Sequence, residues 1–245
     1  MIQFNRRRIL VTGASKGIGE ACARLFARLG ASVGVHYRAD RDAAERIAAD
    51  LGSARAFAAD LASWDAGERL VADVEAALGE LDVVVLNHGI WRPAPIAAMT
   101  AADYDATLAA NLRGFFSVAA AAARRMVPRR RGAIVTVAST AGQRGEAGYA
   151  HYAATKGAII SMTKSLASEL APFAIRVNCV APGWVRTAMT EAALDADADV
   201  ASTIPLGRVA TPDEIAAPIA FLASDAASFI TGEIFNVNGG AVLAG

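Results

Sequence analysis

Short runs of aliphatic residues alternate with longer helical patterns along the whole chain, and this alternation is the strongest constraint on its fold. Arg8–Thr12, Ser32–Tyr37, Arg55–Ala59, Val83–Leu86, Ala133–Ala138, Ile175–Ala181 and Ile234–Val237 read as strands. Helical patterns lie between them over Gly17–Leu29, Asp42–Leu51, Asp65–Leu78, Thr100–Arg125, Tyr149–Leu170 and Ile215–Ala223. A strand as uninterruptedly apolar as Val83–Leu86 suits a sheet covered on both faces. The pattern predicts an α/β fold: a doubly wound parallel sheet of about seven strands, helices on both faces, joined by right-handed crossovers.

Punctuation supports these boundaries. Gly30 and Gly52 fall just past helix ends, and Pro172 stops the helix begun near Tyr149. Asp42 with Glu45 has the spacing of a capping box, and Thr100 and Asp103 could open the long helix that follows them. Thr211, Pro212 and Glu214 supply an N-cap, an N1 proline and an N3 acid. No repeat, linker or low-complexity tract divides residues 1–245, so one domain is expected. The irregular, Ala/Asp-rich stretch Met189–Ile204 lies beside the motifs below, and 188–210 is expected to form a lid on the substrate side.

The 24 basic and 24 acidic residues cancel, which gives no reason to expect a nucleic-acid or anionic-membrane partner. Cys22 and Cys179 sit in apolar runs and read as buried thiols, with neither a disulfide framework nor a metal site. No stretch reads as both long and apolar enough to span a bilayer, Phe115–Ala123 being stopped by Arg124 and Arg125. A cytoplasmic protein is expected.

Chemistry first shows itself after the first strand. In Thr12-Gly13-Ala14-Ser15-Lys16-Gly17-Ile18-Gly19 the glycines permit a tight turn and close approach of a pyrophosphate to the backbone. The helix that follows turns free N–H groups toward the anion. At the end of the second strand an acid would bind a ribose 2′-hydroxyl, whereas an arginine suits a 2′-phosphate. Here His36-Tyr37-Arg38 precedes any acid, and Lys16 adds a second cation, so NADP(H) is expected over NAD(H), with NAD(H) as the alternative. Tyr152 and Lys156 are four residues apart at a helix start and share one face. An ammonium beside a phenol favours the phenolate and suits it to proton exchange. Ser139 follows the fifth strand, at the carboxyl edge where open parallel sheets bind ligands, and its hydroxyl can hold a substrate oxygen.

These pieces together resemble the short-chain dehydrogenase/reductase family over nearly the whole chain. The motifs are Thr12–Gly19, Asp60-Leu61, Asn87-His88-Gly89, Asn111, Ser139, Tyr152 with Lys156, and Pro182-Gly183 with Thr187. The resemblance implies a Rossmann fold and hydride transfer between nicotinamide and a ketone or secondary alcohol. It implies that Tyr152 is the general acid/base, that Lys156 lowers its pKa and binds the nicotinamide ribose, and that Ser139 orients the carbonyl. Asn111 would hold a water linking Lys156 to solvent. Asp60 and Leu61 would face the adenine, and Asn87 would support the central strand. Pro182, Gly183, Val185 and Thr187 would border the nicotinamide. The family usually reads Asn-Asn-Ala-Gly after the fourth strand, where this chain has Leu86-Asn87-His88-Gly89. His88 stands in place of a small residue and is expected to contact or crowd the adenosine side. Asn238-Gly239-Gly240 is expected to be a turn away from the chemistry.

For the substrate side, Gln143, Glu146, Tyr149, Trp184 and Met189 are the candidates, with Trp91, Thr140 and Arg144 nearby. The chain resembles 3-oxoacyl-carrier-protein reductases, whose carrier would need a basic surface that Arg124, Arg125 and Arg129–Arg131 could help supply. Phe173 stands where those reductases often carry a basic residue. Val35-His36-Tyr37-Arg38 and His151-Tyr152-Ala153-Ala154 also look like glucose 1-dehydrogenases, which makes sugar or polyol oxidation an alternative. A non-catalytic NADP(H)-binding sensor is a third reading. The resemblance also implies a homotetramer, with the two long helices packed between subunits.

Overall fold

The computed structural model describes residues 2–243; Met1, Ala244 and Gly245 of the expected domain lie outside the described residues. The strands are β1 (Arg8–Val11), β2 (Ser32–Tyr37), β3 (Ala54–Ala58), β4 (Val83–Leu86), β5 (Gly132–Val137), β6 (Ile175–Pro182) and β7 (Ile234–Val237). They form one parallel 7-stranded sheet in the order β3-β2-β1-β4-β5-β6-β7. The helices are α1 (Gly17–Arg28), α2 (Arg41–Leu51), α3 (Trp64–Leu78), α4 (Ala101–Leu108), α5 (Gly114–Arg129), α6 (Ala141–Arg144), α7 (Ala150–Leu170), α8 (Glu191–Ala196) and α9 (Pro212–Ala223).

Strand alternation splits the core in two. Ile9, Val11, Val83 and Val85 pack with Phe26, Ile215 and Ile219 of α1 and α9. Leu10, Val84 and Leu86 point the other way, onto Leu70 of α3, Phe115 and Met126 of α5, and Ile159 of α7. Each layer removes fully buried aliphatic and aromatic side chains from water, a gain of about 1.5–3 kcal/mol per large side chain. The order reverses between β1 and β4, which opens a crevice at their carboxyl ends.

Thr100/Asp103 on α4 and Thr211/Glu214 on α9 form capping boxes, at helix starts the sequence marks. Asp42/Glu45 does not form one. Asp40 is the N-cap of α2 without a side-chain bond, and the Glu45 carboxylate is held instead by Arg41, one turn earlier, at 2.6 Å. The long helix expected to end at Arg125 continues to Arg129, through Pro128. Its last turn is tied to α3 by Arg125 and Arg129, both paired with Glu75, and Arg129 Nε donates to the carbonyl of Arg125. Between α4 and α5 the chain makes a π-helical turn, Ala109–Arg113, carrying Asn111. The continuous helix Ala101–Arg129 is long and apolar enough to cross a membrane by length and composition alone, which corrects the sequence expectation. Half of its apolar window is buried within the protein, as in a core helix. The stretch Met189–Ile204, expected to be irregular, holds α8 and a 3-10 turn over Ala198–Thr203, anchored by buried Leu194, Val200 and Ile204.

Candidate active site

One long cavity of about 480 Å³ follows the carboxyl ends of β2, β1, β4, β5 and β6. Gly13, Ser15, Lys16, Gly17, Ile18, Tyr37, Arg38, Asp60, Leu61, Asn87, His88 and Gly89 line one part of it. Ser139, Tyr152, Lys156, Pro182, Gly183, Val185, Thr187 and Met189 line the other.

The glycine loop is held from three sides. Thr12 Oγ1 accepts the N–H of Asn87 at 2.9 Å, and the Asn87 amide donates back to the carbonyls of Thr12 and Gly13. His36 Nδ1 accepts the N–H of Gly13 at 3.0 Å, while Nε2 faces the carbonyl of Ala59 at 3.1 Å. A carbonyl can only accept, so the ring is neutral with its proton on Nε2. Burial pushes His36 down to about 4, which fits that state. Gly13 has a φ of 65°, and a Cβ on Gly19 would run into the carbonyl of Gly13 and the Asn87 amide. These positions therefore require glycine. The N-cap of α1, Lys16, makes no side-chain cap bond, so no side chain occupies the helix N-terminus. Lys16 and Arg38 are exposed on the cavity, and among the described residues neither side chain forms an ion pair or hydrogen bond. An uncapped helix end, a cradle closed to any Cβ and two free cations fit a dinucleotide phosphate chain.

Asp60 accepts the N–H of Ala62 through Oδ1 and forms an Asx turn. His88 does not crowd the cavity as expected. It lines the cavity, and its ring packs against the interior, with Nδ1 at 2.8 Å from Thr12 Oγ1 and the ring centroid 4.7 Å from that of Phe115. Gly114 makes the room: a Cβ there would lie 2.5 Å from His88 Nε2. The compensation lies on another helix, outside the reach of any local motif.

On the chemical side, Ser139 follows β5 and shares the cavity wall with the Tyr152 phenol. The Ser139 Oγ accepts the N–H of Ala141 at 3.1 Å. Burial pushes the phenol above its ordinary range, the Ser139 hydroxyl opposes this and the nearby Glu146 carboxylate adds to it. Lys156 Nζ donates to the carbonyl of Val137 at 2.9 Å, and burial pushes the amine down to about 8. Both atoms of the Asn111 amide are engaged by Ile90, with Oδ1 accepting its N–H at 2.7 Å and Nδ2 donating to its carbonyl at 2.8 Å. The π turn thus pins the loop after β4. Thr187 crosses to the glycine loop, its Cγ2 lying 3.3 Å from where a Gly17 Cβ would sit.

The substrate candidates divide. Met189 lines the cavity, as does Trp91. Trp91 is stacked on Tyr149 at 4.5 Å, meets Trp184 edge-on at 5.9 Å, and donates its indole N–H to Glu146 at 3.2 Å. Tyr149, Trp184 and Glu146 therefore stand behind Trp91 and hold it. Burial raises the Glu146 carboxyl above its usual range. Gln143 turns away and donates to Asn236 of β7 at 2.6 Å. The Asn238–Gly240 turn is not remote: a Cβ on Gly183 would lie 2.9 Å from that of Asn238, and Gly239 receives the N–H of Leu206. It therefore braces the segments after β6. The basic surface expected over Arg124–Arg131 is spent inside the molecule. Arg124 and Arg125 pair with Glu68, Arg129 with Glu75 and Glu80, and Arg131 with Asp82, while Arg130 donates to the carbonyl of Pro172. These groups also lie where β4 and β5 begin, at the end of the sheet opposite the cavity.

A parallel sheet with a glycine cradle at its switch point and a Ser/Tyr/Lys cluster one strand away defines the class: the chain belongs to the short-chain dehydrogenase/reductase family and is an oxidoreductase. The family model described as enoyl-(acyl carrier protein) reductase matches residues 13–242. Among individual relatives, the 3-oxoacyl-[acyl-carrier-protein] reductase of Thermotoga maritima is 40% identical, with 96% of this chain and 97% of the relative covered. Nodulation protein G of Rhizobium sp. (strain N33) is 39% identical, with 99% of this chain and 100% of the relative covered. A crystal structure titled short-chain dehydrogenase/reductase SDR: glucose/ribitol dehydrogenase, from Brucella melitensis, has a TM-score of 0.93 at 41% identity, covering 99% of both chains.

Proposed function

We propose that this protein is an NADP(H)-preferring carbonyl reductase of the 3-oxoacyl-carrier-protein reductase kind, with Tyr152 as general acid/base. The observation that carries this reading is the meeting of Ser139, Tyr152 and Lys156 at the carboxyl end of β5, inside the cavity that the glycine loop opens. Bound nicotinamide would supply the hydride and, when oxidised, positive charge. Ser139 holds the substrate oxygen, and Tyr152 passes its proton to it in reduction or removes it in oxidation. Lys156, charged, favours the phenolate. Lys16 and Arg38 hold the 2′-phosphate end; Asp40, also on the cavity, is the group through which NAD(H) would be accepted. Residues 188–210 cover the substrate, with Met189 on its inner side.

Following NADPH absorbance with acetoacetyl thioesters, sugars, and aromatic and cyclic ketones tests the reading. Acetoacetyl thioesters are expected to give the highest kcat/KM, with NADPH preferred over NADH. The pinned wall Trp91–Tyr149–Trp184 favours a second reading, a sugar or polyol dehydrogenase, since a flat rigid aromatic face suits a ring substrate. Tight NADPH binding with no turnover of any compound would establish a sensor instead. If an acidic acyl carrier docks, Arg92 and Arg144, exposed beside the substrate end, are its contacts. The exposed Tyr104 and Phe116 on the long helix Ala101–Arg129 support a homotetramer packed through that helix and α7, which sedimentation would read directly. We place the enzyme in the cytoplasm.

A further inference from the structure

Lys156 is an ammonium with 4% exposure and, among the described residues, no carboxylate to meet it. A buried charge without a counterion is costly, and a lysine in that position tends to lose its proton. Its one hydrogen bond among the described residues goes to the carbonyl of Val137, which answers one of three N–H donors. Two aromatic rings flank what remains. Nζ lies 5.3 Å from the centroid of Phe115 and 5.7 Å from that of Tyr152. Both distances are within cation–π range, where the negative face of the ring attracts a cation more strongly the drier the site. Phe115 is fully buried, and it is the second residue of α5, just past the π turn.

We infer that Phe115 is a positioning residue for the proposed reaction: its ring face holds the Lys156 ammonium beside Tyr152 and keeps it charged. The inference rests on the reading of Lys156 as the partner of Tyr152. It also gives His88 a purpose. The His88 ring supports Phe115 from another side, at 4.7 Å and 40°. Burial, His36 and Lys156 all keep His88 neutral, so no second cation competes for Phe115. The titratable groups facing Lys156 are Tyr152 from α7, Cys179 from β6 and, across Phe115, His88. Glu146 reaches this cluster through Tyr152.

The test drains the ring face without changing its shape. Phenylalanine bearing one, two or three fluorines is installed at position 115, alongside Phe115→Leu. The lysines of the chain are Lys16, Lys156 and Lys164, so a lysine ¹³Cε NMR titration of the protein without cofactor resolves Lys156 directly. The titration midpoint of Lys156 is expected to fall stepwise with fluorine number, by about 1 pH unit at three fluorines. The ascending limb of kcat/KM for alcohol oxidation should move to higher pH in parallel, since a less charged Lys156 favours the phenolate less. An unchanged Lys156 midpoint across the fluorinated series overturns the inference, even if Phe115→Leu unfolds. A falling midpoint with no turnover of any substrate would sink the proposed function and leave the ring–ammonium contact standing.

Discussion

The two ends of the cavity are built by different means. At the dinucleotide end, Thr12, His36 and Asn87 hold main-chain atoms of the glycine loop, and Gly13 and Gly19 leave no space for side chains. At the other end, Trp91, Glu146 and Met189 come from the segments after β4, β5 and β6, and Trp91 is held by side-chain contacts with Glu146, Tyr149 and Trp184. Backbone geometry tolerates few residue types, whereas side-chain walls can be rebuilt one residue at a time. The first end is fixed by main-chain geometry; the second is open to change by side-chain substitution.

Four variants or conditions can break or sharpen that contrast. Tyr152→Phe should lower kcat by about 10³-fold while leaving cofactor affinity within a few-fold, because it removes the proton and nothing from the cradle; undiminished turnover would remove the basis of the mechanism. Next comes acid. An unfolded histidine titrates near 6.5 but His36 in the fold near 4, so stability present above pH 6.5 is lost as pH falls towards 4. That loss should be on the order of 3 kcal/mol. His36→Asn, which keeps an acceptor for Gly13, should flatten that part of a thermal-melt pH series; an unchanged slope would mean the group titrates normally. Arg38→Ala should cut kcat/KM for NADPH by about 10- to 100-fold and spare NADH; equal losses would show that Arg38 does not read the 2′-phosphate. Smallest is Trp91→Ala, which should shift the ratio of kcat/KM between ring and linear substrates by about tenfold with cofactor KM unmoved. A change in cofactor KM would erase the division between the two ends.

The same division governs what the sequence made legible. The strand–helix alternation, the glycine spacing and the Tyr152/Lys156 pair are local patterns, and the fold assembles them as expected. Thr100/Asp103 and Thr211/Glu214 form capping boxes, while Asp42/Glu45 does not, because the helix starts at Arg41 and puts Asp42 inside its first turn. What stayed hidden depends on contacts distant in sequence. Gly114 makes space for His88, α3 carboxylates neutralise the arginines of α5, and β7 takes Gln143 away from the cavity. The Phe115–Lys156 contact is of the same kind. A positively charged side chain above an aromatic one leaves no spacing signature when the partners come from different helices.

The π turn at Ala109–Arg113 makes this stretch unusually sensitive to chain length. Such a turn carries one residue more than an α-helical one. Deleting a single residue there would let the helix relax to ordinary winding and swing the flanking turns by about 100° about the axis. Asn111 would then lose Ile90, and Phe115 would leave the ammonium. An enzyme of this design tolerates substitutions along its long helix far better than a one-codon gap.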